Sequence, residues 1–454
     1  MPIKVMSVHL ENFKSFGDVT LNLENKKAKE AKKLVCIYGE NGSGKTNIIN
    51  SMSFLNETLR TKSFGQFIQE KLPELQKEGN LPKEIINALL KNHLSMDIPN
   101  LCKKYHYIDN DTSMKLKYEF LFMEKPCEYT LVIDDDVKYE KLLYKINTKV
   151  SEVFVISDEN SNFSPSIFKN KKYNTSLKEK IKQYWGKHTF LSIIMAEFND
   201  KNKNYIDENV DVSLIRFIKE LSQISVVTRE THGEAHIMAS SVPVEVNMPS
   251  GIINKKYKSL LLNYQKLLNL FFTSVYSDID EVYYEFKENT KNKLQFTLYA
   301  KKRMNGDLKN IPFEIESSGT KKLLQYFIYL LNCLDGQTVF IDEMDDGIHD
   351  LLFAKIIDSL RDVMQGQLVI TTHNTTLLEY LEPKEVYVIQ KDIEANTLIE
   401  CVNNYEQRTQ KTNSIRSKYL RGDYEGIPHV DAFDAEFLQE QLVDFRNTVV
   451  KPRA

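Results

Sequence analysis

The segment that most constrains this chain is the glycine-rich stretch G-E-N-G-S-G-K-T at residues 39–46. An apolar run, LVCIY, precedes it, and the residues that follow, NIINSMSFL, have helical spacing. The stretch therefore fits the G-x-x-x-x-G-K-[S/T] pattern in the strand–loop–helix context that this pattern requires. A glycine-rich turn that only caps a helix is the alternative, and the two flanks disfavour it.

Each residue type in this loop has a physical reason to bind a nucleoside triphosphate. Glycines let the backbone curl with its N–H groups pointing inward, and the following helix adds the positive end of its dipole. Lys45 can reach the terminal phosphates, and the Thr46 hydroxyl can bind Mg²⁺. The predicted nucleotide-binding residues are Gly39, Asn41, Gly42, Ser43, Gly44, Lys45 and Thr46.

The composition limits the classes of protein to which this chain can belong. A chain of 454 residues can hold one large mixed domain or two to three ordinary ones. A net charge of −3 argues against a uniformly basic coat for nucleic acid and leaves room for a local basic patch. The five cysteines are scattered, which predicts neither a disulfide framework nor a zinc site and favours a reducing cytoplasm. No apolar run has the length of a membrane span, so we expect no membrane partner.

A second group of motifs follows in the last third of the chain. The turn ESSGT at residues 316–320 opens an amphipathic helix and alone indicates only a helix cap. One helix later the apolar strand TVFIDE ends in Asp342 and Glu343, and a further strand, QLVITTH, ends in His373. A carboxylate at a strand's carboxyl end would lie beside the phosphate loop. There Asp342 can hold Mg²⁺ through water, and Glu343 can orient or deprotonate the attacking water.

Each of these motifs also has a purely structural alternative. The strand before Asp342 could simply end in a charged loop, and a lone histidine after a strand is usually structural. A phosphate loop, a serine–glycine turn, an acidic strand end and a strand-terminal histidine in this order are together hard to explain by chance. The order favours one composite nucleotide site.

The same order resembles the ABC-type ATPases of the SMC, RecF and OLD clade, in which "NFKSF" and "GENGSGKTN" recur almost as written here. The resemblance implies an α/β head with a mixed sheet, an antiparallel lobe and helical insertions. It assigns Walker A to residues 39–46, a signature motif to residues 317–320, Walker B to Asp342 and Glu343, and a switch histidine to His373.

Carried over residue by residue, the resemblance gives each motif a role. Lys45 and Thr46 would hold the β- and γ-phosphates of ATP and Mg²⁺, and His373 would contact the γ-phosphate. Ser317 and Gly319 would close over the ATP of a second copy, so that the chain forms a dimer or higher oligomer around shared nucleotides. The signature keeps only the serine and one glycine of L-S-G-G-Q, which is similar to the OLD-like branch. The Q-loop glutamine stays unassigned between Gln66 and Gln69.

Two absent features and the C-terminal segment narrow the choice among these ATPases. No sustained heptads separate the motifs, so SMC-type coiled-coil arms are not expected. Because only a strand and a short tail follow His373 here, we also expect no Toprim nuclease of the OLD type. The segment at residues 413–428 resembles that of short AAA-type ATPases in phage-defence operons, such as the AbiL type and the AriA subunit of PARIS. This implies a separate toxin or nuclease effector and a phage-encoded trigger.

Two other functions stay open. One is a RecF-like ATPase acting on DNA in repair, which salt-sensitive binding to duplex DNA would reveal. The other is an assembly scaffold that binds ATP without significant turnover. The predicted division of the chain is an N-terminal ATPase lobe at 1–60, a helical insertion at 61–109, antiparallel strands at 110–160, a mainly helical insertion at 161–278, a C-terminal ATPase lobe at 279–400 and a tail at 401–454.

Weaker signals carry structural alternatives. The lysine-rich stretch at 169–187 could contact DNA or form a solvated helix face, and the pair His232 and His236 lacks an evident third metal ligand. The acidic triplet at 134–136 favours a hairpin turn over a metal site. We expect residues 157–176 to form a polar loop and residues 257–276 to form a core helix.

Overall fold

The computed structural model describes residues 2–25, 28–70, 97–107, 111–146, 149–228, 236–238, 245–290, 292–392, 394, 396–405, 414–427 and 434–449. Its strands are β1 Lys4–Phe13, β2 Phe16–Asn22, β3 Glu24–Asn25, β4 Glu30–Ala31, β5 Leu34–Gly39, β6 Met114–Phe122, β7 Lys125–Ile133, β8 Val137–Ile146, β9 Lys149–Ser157, β10 Ser161–Phe163, β11 Ser225–Val227, β12 His236–Met238, β13 Glu245–Asn247, β14 Ser250–Asn254, β15 Ile279–Thr290, β16 Lys293–Met304, β17 Asp307–Pro312, β18 Thr338–Ile341, β19 Gln367–Thr371, β20 Val386–Lys391 and β21 Thr397–Cys401.

Its helices are α1 Lys45–Glu70, α2 Ile98–Tyr105, α3 Lys171–Tyr184, α4 Phe190–Asp200, α5 Lys203–Asn209, α6 Val212–Ser222, α7 Lys258–Val275, α8 Ser318–Leu334, α9 Asp350–Arg361, α10 Val402–Tyr405, α11 Ile415–Leu420 and α12 Ala435–Val449. The fold is thus the α/β class that the sequence predicts, and the described helices include no long coiled coil. None of them is long and apolar enough to cross a membrane.

A central sheet with the strand order β11-β18-β19-β5-β20-β21 carries the predicted site motifs. Its strands are parallel except for the last pair, β20 and β21. Every residue of β5 is buried, which explains its continuous apolar sequence, because helices or a second sheet cover both faces of such a strand. The carboxyl ends of β18, β19 and β5 therefore meet along one edge, and each of the predicted site motifs except the serine–glycine turn follows one of these strands.

Alternate residues of β5 belong to different hydrophobic cores, because successive side chains of a strand point to opposite faces. Val35 and Ile37 join the core that also holds α1 and the antiparallel sheet. Cys36 and Tyr38 join the core that α8 and α9 complete. The central sheet therefore lies between two separate layers.

The first layer is the predicted antiparallel lobe. It has the order β10-β9-β8-β7-β6-β1-β2, and all of its pairings are antiparallel. Strand β6 alternates buried and more exposed residues along its length, as a strand with one face toward the core should. The buried Tyr118 of β6 donates a hydrogen bond of 2.8 Å to the Ser51 carbonyl of α1, which ties the lobe to the helix that follows the phosphate loop.

The second layer includes a smaller antiparallel sheet in which β16 pairs with β14, β15 and β17. Helix α7 covers the free edge of β15. The Asn269 and Gln265 side-chain oxygens of α7 accept the backbone N–H groups of Val282 and Tyr284, each at 2.8 Å. These contacts satisfy donors that an uncovered strand edge would present to other chains.

Most of the strand and turn predictions are confirmed, including the β15–β16 hairpin and the acidic turn between β7 and β8. The polar loop predicted at 157–176 is wrong, because β10 lies within it and α3 begins at Lys171. The Asn170 side chain caps that helix, and Tyr173, Leu177 and Ile181 bury one face of it. The predicted division into lobes and insertions stays a prediction. The stretch expected to be mainly helical also supplies β11 to the central sheet and β14 to the smaller one.

Helix α7 is only partly the core helix that its apolar sequence predicts. Leu261, Leu268 and Phe272 are buried, whereas Leu262 and Leu270 are exposed. Apolar residues thus lie on both faces of α7, and periodicity alone could not show which face has a partner in the fold.

Several expectations fall outside the described residues. His232 is not among the described residues. Of His236 only the backbone is described, as part of β12. The side chains of Gln66 and Gln69 are likewise not described. Among the described residues, no group of three or more His, Cys, Asp or Glu side chains could hold a metal ion.

A buried carboxylate joins the antiparallel lobe to α4. Glu140 of β8 is fully buried, and it accepts hydrogen bonds from the backbone N–H groups of Phe190 and Leu191 in the first turn of α4. The Tyr129 hydroxyl donates a third, at 2.9 Å. Burial raises the pKa of Glu140 from 4.5 to about 7, although these three donors oppose the shift.

This shift predicts how the free energy of unfolding depends on pH. Because the pKa of Glu140 is higher in the folded state, the folded protein binds more protons between pH 4.5 and 7 than the unfolded chain. The contribution of Glu140 is therefore fully present below pH 4.5 and is lost as pH rises through 7, by up to about 3 kcal/mol. Glu140→Gln should remove this component, which urea unfolding at pH 5, 6 and 7 would measure.

Glu179→Gln is the matched control, because it neutralises an exposed carboxylate on α3. It should keep the pH dependence of the wild type. An equal slope in wild type and Glu140→Gln would contradict the prediction.

Candidate nucleotide site

The phosphate loop connects the carboxyl end of β5 to the amino end of α1. Gly39 lies so close to the neighbouring strand that a Cβ atom there would come 2.9 Å from the Ile389 carbonyl oxygen. Gly44 has a φ of +107°, and a Cβ on it would come 2.5 Å from the ring of Phe16. Both glycines are therefore required by the fold, and the "NFKSF" segment packs directly against the loop.

Lys45 and Ser43 line the inside of this loop. The Lys45 Nζ donates to the carbonyl oxygens of Gly39 and Glu40, each at 2.8 Å, and its side chain is nearly buried. The buried Ser43 hydroxyl has no hydrogen-bond partner among the described residues. A buried, unsatisfied hydroxyl beside a lysine ammonium group is suited to an anion, while Asn41 and Gly42 form the exposed tip of the loop.

The loop meets the acidic strand end directly. The Thr46 hydroxyl donates a 2.9 Å hydrogen bond to Oδ2 of Asp342, 296 positions away in the sequence. Asp342 is fully buried at the end of β18. A hydroxyl and a carboxylate oxygen that converge in this way are the hard oxygen ligands that Mg²⁺ prefers.

Thr371 at the end of β19 holds the acidic pair in place. Its hydroxyl donates to Oδ1 of Asp342 at 2.6 Å and accepts the backbone N–H of Glu343 at 2.7 Å. Glu343 has a φ of +46°, in the left-handed region that non-glycine residues seldom adopt. The hydrogen bond to Thr371 therefore helps to hold this strained backbone conformation.

His373 follows β19 at the mouth of the site and is exposed. Its backbone N–H donates to Oδ2 of Asp345 at 3.1 Å, which ties it to the loop after Glu343. Burial raises the pKa of Asp345, and hydrogen bonds from Thr372 and the His373 backbone partly offset this effect. The end of β19 is therefore joined to the loop after β18 twice, through Thr371 and through the His373 backbone.

The serine–glycine turn lies against the same loop. Ser317 is the N-cap of α8, and its Oγ accepts the backbone N–H of Thr320 at 3.2 Å. A Cβ on Gly319 would come 2.7 Å from the Gly347 carbonyl oxygen, four positions after Glu343, so this contact also requires glycine. Ser317 itself is exposed.

The C-terminal segment at 414–427 packs beside the phosphate loop, which the sequence did not predict. The Tyr419 ring contacts that of Tyr38, with centroids 5.5 Å apart, directly before Gly39. The Gln390 side chain donates to the Tyr424 carbonyl at 2.7 Å, and Gly426 lies tightly against Val388. The segment is therefore part of the second core and rests on the strand pair β5–β20.

The structure thus brings Lys45, Thr46, Asp342, Glu343 and His373 to one edge of the central sheet. Sequence reasoning missed Thr371 and Phe16. The sequence does show that Thr371 lies at the end of an apolar strand, two positions before His373. Phe16 lies within the quoted "NFKSF" motif, although its contact with Gly44 depends on the tertiary fold.

Comparisons with known proteins find similarity to one protein family and to one named relative. Residues 247–379 match a family described as AAA domain, putative AbiEii toxin, Type IV TA system. A Helicobacter pylori protein named ATP/GTP phosphatase is 22% identical over 421 residues, which cover 89% of this chain and 93% of that protein.

Among solved structures, the chain is similar to SMC head domains at low identity. One is the Pyrococcus furiosus Smc head with an extended coiled coil bound to the C-terminal domain of ScpA: 12% identity, TM-score 0.41, covering 89% of this chain and 98% of that one. Another is an SmcHead bound to the C-winged helix domain of ScpA: 13% identity, TM-score 0.44, covering 87% and 96%. A third is the Thermotoga maritima SMC head domain: 12% identity, TM-score 0.35, covering 88% and 99%.

The Thr371 contacts lead to a prediction. Thr371→Val keeps the shape of the side chain but leaves the buried Asp342 without one donor and the Glu343 N–H without its acceptor. We expect Mg²⁺-dependent ATP hydrolysis to fall by about 10- to 100-fold, as for other partners that orient metal ligands. Phosphate release measured across a Mg²⁺ titration would test this.

Thr371→Ser is the conservative control, because it retains the hydroxyl, and it should keep most of the activity. Undiminished hydrolysis by Thr371→Val at every Mg²⁺ concentration would show that Asp342 and Glu343 need no help from this residue.

Proposed function

We propose that this chain is a Mg²⁺-dependent ATPase of the ABC type. The observation that carries the proposal is the 2.9 Å contact between Thr46 of the phosphate loop and Asp342 at the end of β18. This contact joins the two halves of a nucleotide site that are far apart in the sequence. The name of the H. pylori relative, ATP/GTP phosphatase, and the AAA family match support the same activity.

In the proposed mechanism, the loop N–H groups and Lys45 bind the β- and γ-phosphates. The Lys45 Nζ, which contacts two loop carbonyls, would exchange these for phosphate oxygens. Thr46 and Asp342 would hold Mg²⁺, which when bound neutralises charge that develops on the transferred phosphate. Glu343 would orient or deprotonate the attacking water, and His373 would contact the γ-phosphate from the mouth of the site.

The proposed active form is a dimer or higher oligomer of this chain. Ser317 is exposed at the amino end of α8. There its hydroxyl and the helix dipole can face a phosphate group of the ATP that a second copy binds. Gly319 keeps the turn close to the loop that follows Glu343. Donors from the second copy would exclude water from the γ-phosphate and complete its charge stabilisation.

Glu343→Gln separates an ATPase from an assembly scaffold that only binds ATP. We expect the variant to bind ATP normally and to lose at least about 100-fold in phosphate release, because an amide cannot accept the proton of water. Binding is measured with a fluorescent ATP analogue, and turnover by single-cycle phosphate release.

Lys45→Ala is the contrasting variant in the same assays, and it should lose binding as well as turnover. If Glu343→Gln and wild type gave the same low phosphate release, the scaffold function would replace the enzymatic one.

We further propose that the ATPase restrains or positions a separate toxin or nuclease in phage defence and releases it when a phage-encoded trigger binds. The matched family description, which names a putative toxin of a toxin–antitoxin system, supports a role in such a system. The trigger must bind the ATP-bound and released states with different affinity, since otherwise it could not shift their populations.

Native expression followed by mass spectrometry of intact complexes tests this role. Wild type and Lys45→Ala would be purified with whatever protein accompanies them. A stoichiometric protein partner that is lost or altered in Lys45→Ala would support the proposal. A complex that lacks any such partner and retains DNA would contradict it.

A repair ATPase acting on DNA is the second candidate, and one surface feature favours it. Lys171, Lys178 and Lys182 are exposed and share one stripe of α3, spaced over about 16 Å. A stripe of this kind can follow a phosphate backbone. Duplex DNA binding that weakens steeply with salt and falls on Lys178→Glu substitution would favour this function.

A further inference from the structure

A helix near the C-terminal end exposes its apolar face. In α12, Leu438, Leu442 and Phe445 follow one another at spacings of four and three residues and are 57%, 46% and 63% exposed. Every side chain described between 434 and 446 is exposed. A helix of this length has marginal stability alone in water, so an apolar stripe of this size indicates a helix that packs on a partner.

The same chain carries an apolar groove in another part of the fold. It has a volume of about 680 Å³ and lies between α7, α8 and α9. Its walls are mainly Phe271, Val275, Phe327, Leu331, Leu352 and Ile356. Leu351 at the mouth is 42% exposed. We call this feature the helical groove.

The charges of the two surfaces are complementary. The polar residues that line the helical groove are Ser274, His349, Lys355 and Ser359, and its lining, all within the described part of the chain, contains no Asp or Glu. Helix α12 carries three carboxylates, at positions 436, 440 and 444, and one arginine. An acidic helix with an apolar stripe therefore matches an apolar groove whose only ionisable groups can be cationic.

The dimensions also agree. Helix α12 has 15 residues and α9, which forms one wall, has 12, so that the two are about 22 Å and 18 Å long. The lining residues of α8 begin at Phe327, ten positions or about 15 Å along the helix from Ser317. The helical groove is thus distinct from the surface that would close over nucleotide.

We propose that α12 of one copy of this chain docks in the helical groove of a second copy. In the structure α12 lies outside its own groove with its apolar stripe exposed. A reciprocal exchange between two copies would cover both stripes and both grooves in a closed two-fold contact. This contact needs no ATP, so it is independent of the nucleotide-dependent dimer under the proposed function.

Cross-linking between two variants tests the contact. One full-length preparation carries Leu442→Cys and another carries Leu351→Cys, both in the Lys45→Ala background without nucleotide. The five native cysteines are buried, so a short bismaleimide should react with the introduced residues. The mixture should give a covalent dimer at twice 52.9 kDa.

The control pairs Leu442→Cys with Leu308→Cys, an exposed leucine of β17, and should give no such product. A chain carrying both Leu442→Cys and Leu351→Cys that cross-links only within itself would show docking in its own groove and overturn the proposal. The absence of any product would overturn it as well and would indicate a different partner for α12.

Sedimentation of full-length variants gives an independent measurement. Leu442→Asp and Lys355→Glu should each raise the dissociation constant of the nucleotide-free dimer at least tenfold, the first by placing a charge in the apolar stripe and the second by repelling the acidic helix. Both side chains are exposed in the single copy, so folding should be unaffected. Leu308→Asp should leave the dimer unchanged, and equal masses for all variants would contradict the docking.

Discussion

The hydrogen bonds that converge on Asp342 are the constraint on which the candidate nucleotide site depends. This carboxylate is fully buried, and a buried charge is costly unless donors satisfy it. Thr46 from the phosphate loop and Thr371 from the neighbouring strand supply two of them. The same Thr371 also holds the Glu343 backbone, so three strand ends share one small network. A shift of β5 or β19 relative to β18 would remove one of these two donors from the buried carboxylate.

The strand order explains why this network can form. Strand β19 lies between β5 and β18, which places its terminal residues between the phosphate loop and the acidic pair. The two layers that enclose the sheet differ in character. One is the antiparallel lobe, tied to α1 by Tyr118 and to α4 by Glu140. The other holds α7, α8 and α9, with the serine–glycine turn at the amino end of α8 and the helical groove farther along.

The C-terminal residues divide into a packed segment and an exposed helix. Tyr419 and Tyr424 are buried against β5 and β20, although they lie outside the four nucleotide-site motifs. The following helix, α12, instead exposes its apolar residues. One part of the tail thus belongs to the fold of the single chain, and the next part presents a surface suited to association.

The sequence by itself determined the features that depend on local backbone chemistry and periodicity. The glycines of the phosphate loop, the buried strand β5 and the alternation of β6 follow from short-range sterics and burial, and the sequence shows them directly. The positions of Asp342 and His373 at strand ends follow from the same patterns.

Only the tertiary structure decided which strand ends become neighbours. The roles of Thr371 and Phe16, the packing of the tail on Tyr38 and the exposure of half of α7 each depend on contacts between residues far apart in the chain. Periodicity shows that a helix has an apolar face, but it does not show what covers that face, because the partner is chosen by long-range packing.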